Sequence, residues 1–182
     1  MTEPFEKGKE RKERSLAGID VRFLRLWDAS GKIDIPKSRA FMESHPEFLT
    51  LKDTQGNTLL HWLACRDESA AAEGLLYMGA LLESRDCNGC TPLYHAVLNG
   101  GLRTARVLIN YGADINAADG SGLTPLHIAA ANGSLDLVKL LVSKGASSSA
   151  VDRDGLTPLD IAESRGRREV SGYLKSLAGI SG

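Results

Sequence analysis

Thr124-Pro125-Leu126-His127-Ile128-Ala129-Ala130 decides the fold, because the chain keeps rewriting it. Thr91-Pro92-Leu93-Tyr94 stands thirty-three residues earlier, Thr157-Pro158-Leu159-Asp160 thirty-three later, and Thr58-Leu59-Leu60-His61 thirty-three before Thr91. The register extends upstream to Asp53, Asp86, Asp119 and Asp152, and to Gly56, Gly89, Gly122 and Gly155. A fixed period in this range marks a solenoid, in which each unit buries its apolar face only against its neighbours.

The residue types explain the motif. Each threonine sits where a helix begins, and its hydroxyl can accept from an orphan N–H of the first turn. Pro92, Pro125 and Pro158 take the first helical position, where a missing N–H costs nothing. His61 and His127 fall three residues after their threonines, so one ring nitrogen can reach back to the hydroxyl; this is a structural role. Gly100, Gly133 and Gly166 end the first helices, and Gly79, Gly112 and Gly145 the second ones. The four aspartates run along the stack, where hydrogen bonding within turns is their expected task. Ala96, Ala129 and Ala162 are small where helices approach closely, and Leu75-Leu76, Leu108-Ile109 and Leu141-Val142 fill the space between units. Repeats two and three are expected to be the most stable, with fraying at both ends: repeat one has Leu59 for Pro and Gly74 within a helix, repeat four Gly172 within one.

The pattern D-x-x-G-x-T-P-L-H-x-A-A, followed by L-L and G-A-D-x-N, resembles an ankyrin repeat. The resemblance implies an all-α solenoid of antiparallel helix pairs with β-turn fingers. It implies one domain over residues 21–182, divided into an N-terminal cap at about 21–52, repeats at 53–85, 86–118 and 119–151, and a C-terminal cap at 152–182. It also implies a non-enzymatic scaffold or adaptor without cofactor, binding a protein partner through the finger tips and the concave face of the first helices. Carried onto this chain, the tips are Thr54, Gln55 and Asn57; Cys87, Asn88 and Cys90; Gly120, Ser121 and Leu123; Arg153, Asp154 and Leu156. The helix positions are Cys65 and Arg66, Leu98 and Asn99, Ala131 and Asn132, Ser164 and Arg165. Leu108 to Asn116 is similar to the site used by the asparaginyl hydroxylase that modifies ankyrin repeats, with Asn116 as acceptor; the alternative for Asn116 is a purely structural bond within the loop.

Composition agrees with this class. Hydrophobic residues make up 42% of 182 and aromatics only 5%, as helices packed through Ala and Leu require. A formal net charge of −1 and the lack of a dense Lys/Arg stripe argue against nucleic acid. No apolar run is long enough to span a bilayer, and the polar start is no signal peptide. Three cysteines are too few for a disulfide scaffold, so a reducing compartment is expected, cytosol or nucleus, with the chain acting as a monomer.

Residues 1–20 form a mixed-charge arm that buries too little apolar area to offset its ordering entropy. Residues 23–27 suit one face of a short helix, and Ser38 to His45 a second one stopping before Pro46. Val21-Arg22-Phe23 is also similar to the V-x-F docking element of ankyrin-containing targeting subunits of protein phosphatase 1, although Gly18, Ile19 and Asp20 replace the basic residues usual there. That gives an alternative reading, regulation of a docked enzyme. A third is a thiol switch at Cys87 and Cys90, whose C-x-x-C spacing also suits half a zinc site. No further ligand pair exists in the sequence, so no metal site is assigned and both cysteines are expected as exposed turn residues. No nucleophile motif, phosphate loop or H-E-x-x-H provides for catalysis.

Overall fold

The computed structural model describes residues 35–177 and residue 179, with side chains from residue 40 onward. The charged arm and the Val21-Phe23 element lie outside the described residues. Among those described, there are nine α-helices and no strand. Helix α1 (Ile35–Ser44) is followed by a 3-10 turn (Pro46–Leu49). Four helix pairs follow: α2 (Leu59–Cys65) with α3 (Ser69–Tyr77), α4 (Pro92–Leu98) with α5 (Leu102–Asn110), α6 (Pro125–Asn132) with α7 (Leu135–Ser143), and α8 (Pro158–Ser164) with α9 (Arg168–Leu177). The first helices α2, α4, α6 and α8 lie side by side in chain order, and the second helices form the row behind them.

The period governs both local structure and packing. Thr58, Thr91, Thr124 and Thr157 all cap their helices in extended conformation. The glycines before them, and those ending both helices, have φ between 67 and 96°. Only Asp67, which replaces a glycine in repeat one, adopts this left-handed region without being glycine, at φ 54° among the described residues. Its carboxylate offsets the strain by accepting from Thr104 N–H at 2.8 Å and from Arg103 Nε at 3.1 Å. Asp67 therefore caps the first turn of α5, one repeat further on.

Ala96, Ala129 and Ala162 are wholly buried, and Leu75, Leu108 and Leu141 are buried between the second helices. At the N-terminal end, α1 begins at Ile35 rather than Ser38, which puts Pro36 inside its first turn, where proline is tolerated. Met42 and Phe48 then close the core, with Phe41 edge-to-face on Phe48 at 5.0 Å. At the other end the face turns polar, and Lys175 pairs with Glu163 at 2.8 Å. None of the described helices is long and apolar enough to cross a membrane.

Candidate functional site

The fingers are built by one carboxylate each. Asp53 Oδ1 accepts from the N–H groups of Gln55 and Asn57, both at 2.8 Å. Asp86 repeats this with Asn88 and Cys90, Asp119 with Ser121 and Leu123, and Asp152 with Asp154 and Leu156. Each finger is then tied to the next by backbone: Cys87 N–H to Gln55 O at 2.9 Å, Gly120 N–H to Asn88 O at 2.8 Å, and Arg153 N–H to Ser121 O at 3.1 Å. The close approach needs glycine. A Cβ on Gly122 would lie 3.0 Å from Arg153 N, and one on Gly89 3.1 Å from Gly120 N.

The second carboxylate oxygen reaches into the helices. Asp53 Oδ2 accepts from Trp62 Nε1 at 3.0 Å, Asp86 Oδ2 from His95 Nε2 at 2.9 Å, and Asp119 Oδ2 from Tyr94 O–H at 2.8 Å. Burial, reinforced by that bond, pushes the Tyr94 phenol well above its ordinary value. His61 and His127 reach back to their threonines, with Nδ1 2.9 Å from the hydroxyl oxygen in both. Nδ1 also accepts from the backbone N–H of Thr58 and Thr124 at 3.1 Å, so the ring proton sits on Nε2. Nε2–H then donates forward at 3.1 Å, from His61 to Cys90 O and from His127 to Leu156 O. The residue that caps one helix therefore also holds the next finger.

These ties leave a row of side chains facing solvent. Gln55, Cys87, Asn88, Ser121, Arg153, Asp154 and Leu156 are exposed at the tips, and Leu98, Asn99, Asn132, Ser164 and Arg165 on the helix face. Asn57, Leu123, Cys65 and Arg66 are half-buried. Ala131 is buried. Cys90 departs from its expected place on the exposed tip: it is only 7% exposed and belongs to the apolar core. It stands just behind the tip, with its side chain packed into the apolar core shared with the neighbouring repeats. Cys87 is exposed as expected. Asn132 Nδ2 donates to Leu98 O at 3.2 Å, which links the helix face of two repeats. Asn116 accepts through Oδ1 from Ser147 N–H of the next repeat at 2.9 Å, so it has a structural bond whatever else it does. Arg167 donates from Nε to Ala131 O at 3.0 Å and lies across Gly133.

Repeat two carries a polar cluster that the motif does not announce. His95 lies outside the Thr-x-x-His spacing of His61 and His127 and stands nine residues after Asp86, as Trp62 does after Asp53 and Ile128 after Asp119. Its Nδ1 lies 3.2 Å from Cys65 Sγ while Nε2 holds Asp86. Burial, reinforced by the Asp86 charge, pushes the Cys65 thiol up to about 11 and the Cys90 thiol up to about 12. Burial alone would raise Asp86, but the bonds from His95, Cys90 and Asn88 outweigh it and hold the carboxyl below its usual range. Burial, with the neighbouring His95, lowers His61 to about 4. Counting nine residues from each aspartate was the signal that would have found His95.

A family model described as ankyrin repeats (3 copies) matches residues 37–119, and one described as ankyrin repeats (many copies) matches residues 99–142 and 130–174. No curated protein matches the sequence well enough to count as a relative.

Proposed function

The chain belongs to the ankyrin repeat family, and from that premise we propose that it is a non-enzymatic adaptor that binds a protein partner through its finger tips and concave helix face. Ankyrin repeats are generally protein–protein interaction modules. The observation that carries the reading here is the series of backbone bonds from Gln55 to Cys87, Asn88 to Gly120 and Ser121 to Arg153. They hold exposed side chains at a fixed spacing before any partner arrives, so little conformational entropy is lost on binding. The surface is mostly neutral polar and small, with Arg66, Arg153 and Arg165 toward its ends and apolar points at Leu98 and Leu156, which are 42% and 41% exposed. That chemistry suits a protein or peptide better than a duplex. The same proposal includes a monomeric chain working where thiols stay reduced, in the cytosol or nucleus.

The test is affinity capture with quantitative mass spectrometry, comparing the wild-type chain with a variant carrying Asn88→Arg, Leu98→Glu and Ser121→Arg after matching their melts. Partners lost only by the variant support the surface. Partners retained in full overturn it and move binding to another face.

A further inference from the structure

We propose that Asp86, Cys90 and His95 form a binding site for a divalent cation of the zinc class, with Cys65 orienting the histidine from behind. One ligand atom from each of the three residues lies within 4.8 Å of the others. The geometry is that of a site needing only slight opening: His95 Nε2 and Asp86 Oδ2 are 2.9 Å apart. Ligand atoms at about 2.0–2.3 Å from a tetrahedral metal stand somewhat further apart than that. The His95 and Asp86 side chains are 16% and 4% exposed, so the donors are gathered and shielded rather than scattered over a surface. Thiolate, imidazole and carboxylate together select a borderline-soft cation over calcium or magnesium.

The repeat itself supplies the second argument. At the Cys90 position the later repeats carry Leu123 and Leu156, and at the His95 position Ile128 and Ile161. The fold is therefore satisfied by aliphatic side chains at both places, and only repeat two puts a thiol and an imidazole there beside the finger aspartate. Cys65, contributed by the preceding repeat, sits 3.2 Å from the other ring nitrogen of His95. A ligating histidine is commonly fixed by such a partner on its second nitrogen. Cys87, the partner that the C-x-x-C spacing would have supplied, stands exposed while Cys90 is buried.

Binding would proceed with a simple balance. The Cys90 thiol gives its proton to solvent and ligates as thiolate. The neutral His95 ring moves its proton from Nε2 to Nδ1, where it faces Cys65 Sγ, and the freed Nε2 ligates. Asp86 ligates as the carboxylate it already is. One proton leaves per cation, and the fourth position of the cation is left to solvent. The bound ion would pin the second finger to α4.

Reduced, chelator-treated protein is titrated with Co(II), then with Zn(II) in competition, and the absorption of the cobalt complex is followed. The expected result is saturation at one equivalent with a sulfur-to-cobalt charge-transfer band. His95→Ile and Cys90→Leu, substitutions the chain itself uses in its later repeats, should leave the metal-free protein folded, His95→Ile with a lower melt because Asp86 Oδ2 loses its donor, and each should abolish the band. Cys65→Ala should keep the band and weaken binding about 10–100-fold. Cys87→Ser should change nothing. Absence of saturable binding in the wild type overturns the proposal, as does a band that survives both His95→Ile and Cys90→Leu. Loss of the band in Cys87→Ser also overturns it, because the site would then be the C-x-x-C pair.

Discussion

His61 donates from Nε2 to the carbonyl oxygen of Cys90, 3.1 Å away and twenty-nine residues later, while its Nδ1 accepts from Thr58 N–H. The bond from Thr58 requires the neutral ring, since a protonated imidazole has no acceptor to offer it, whereas Nε2–H donates in either state.

Acid should therefore loosen the stack through His61. The folded pKa of about 4 lies below the ordinary 6.5, so the unfolded chain binds the proton more readily. The His61 contribution is complete above pH 6.5 and is lost as pH falls toward 4, amounting to on the order of 3 kcal/mol. Urea denaturation of chelator-treated protein across this window should show the wild type losing more stability than His61→Gln. Equal slopes would refute the assignment.

Asp67 combines a left-handed backbone with a cap for α5. Asp67→Ala keeps the strain and removes the acceptor, and should cost about 2 kcal/mol. Asp67→Asn tolerates the same backbone and retains an oxygen for Thr104, so it should lose less than half of that. Thermal melts of the two variants compare them directly.

Gly122 and Gly155 share φ near 80° but differ in their surroundings. A Cβ at Gly122 meets Arg153 N at 3.0 Å, whereas nothing lies within 4 Å of one at Gly155. Gly155→Ala should cost about 1 kcal/mol for backbone strain alone. Gly122→Ala should cost more, and should expose the Arg153 amide to exchange; equal costs would mean that the finger tie contributes little.

Amide exchange should be slowest in repeats two and three. Pro125 through Ala131 of α6 are all buried, with a repeat on either side. The last helix buries only Val170 and Leu174, and its amides should exchange first, with repeat one between them. Slowest exchange in α2 and α3 would contradict this.

Much of the fold was legible because the period repeats the same physical solutions. Thr124 caps, Pro125 opens the helix, Gly133 closes it and Asp119 shapes the finger; each can be read within one unit. Contacts between units escaped, because they join residues whose pairing no single unit contains. The forward bond of His127 to Leu156 O and the cap that Asp67 provides for Thr104 are of this kind. The placement of Cys90 failed for a related reason: its spacing from Cys87 matched a pair, while Cys87 stands exposed and Cys90 packs into the core shared with the neighbouring repeats. The exposed strip was legible as positions, but the half-burial of Asn57, which bonds back to Asp53, and of Leu123, which packs against the core, was not.

The finger ties join the tips like links in series, so their tilts accumulate. A small rotation at the link between Asn88 O and Gly120 N shifts Ser121 slightly, and carries Arg153 further because another link is added beyond it. A partner gripping the two ends of the row would thus sense a change made in the middle, at a place it never touches. Substitutions around Gly89 should alter which shape of partner fits, through leverage rather than through lost contacts.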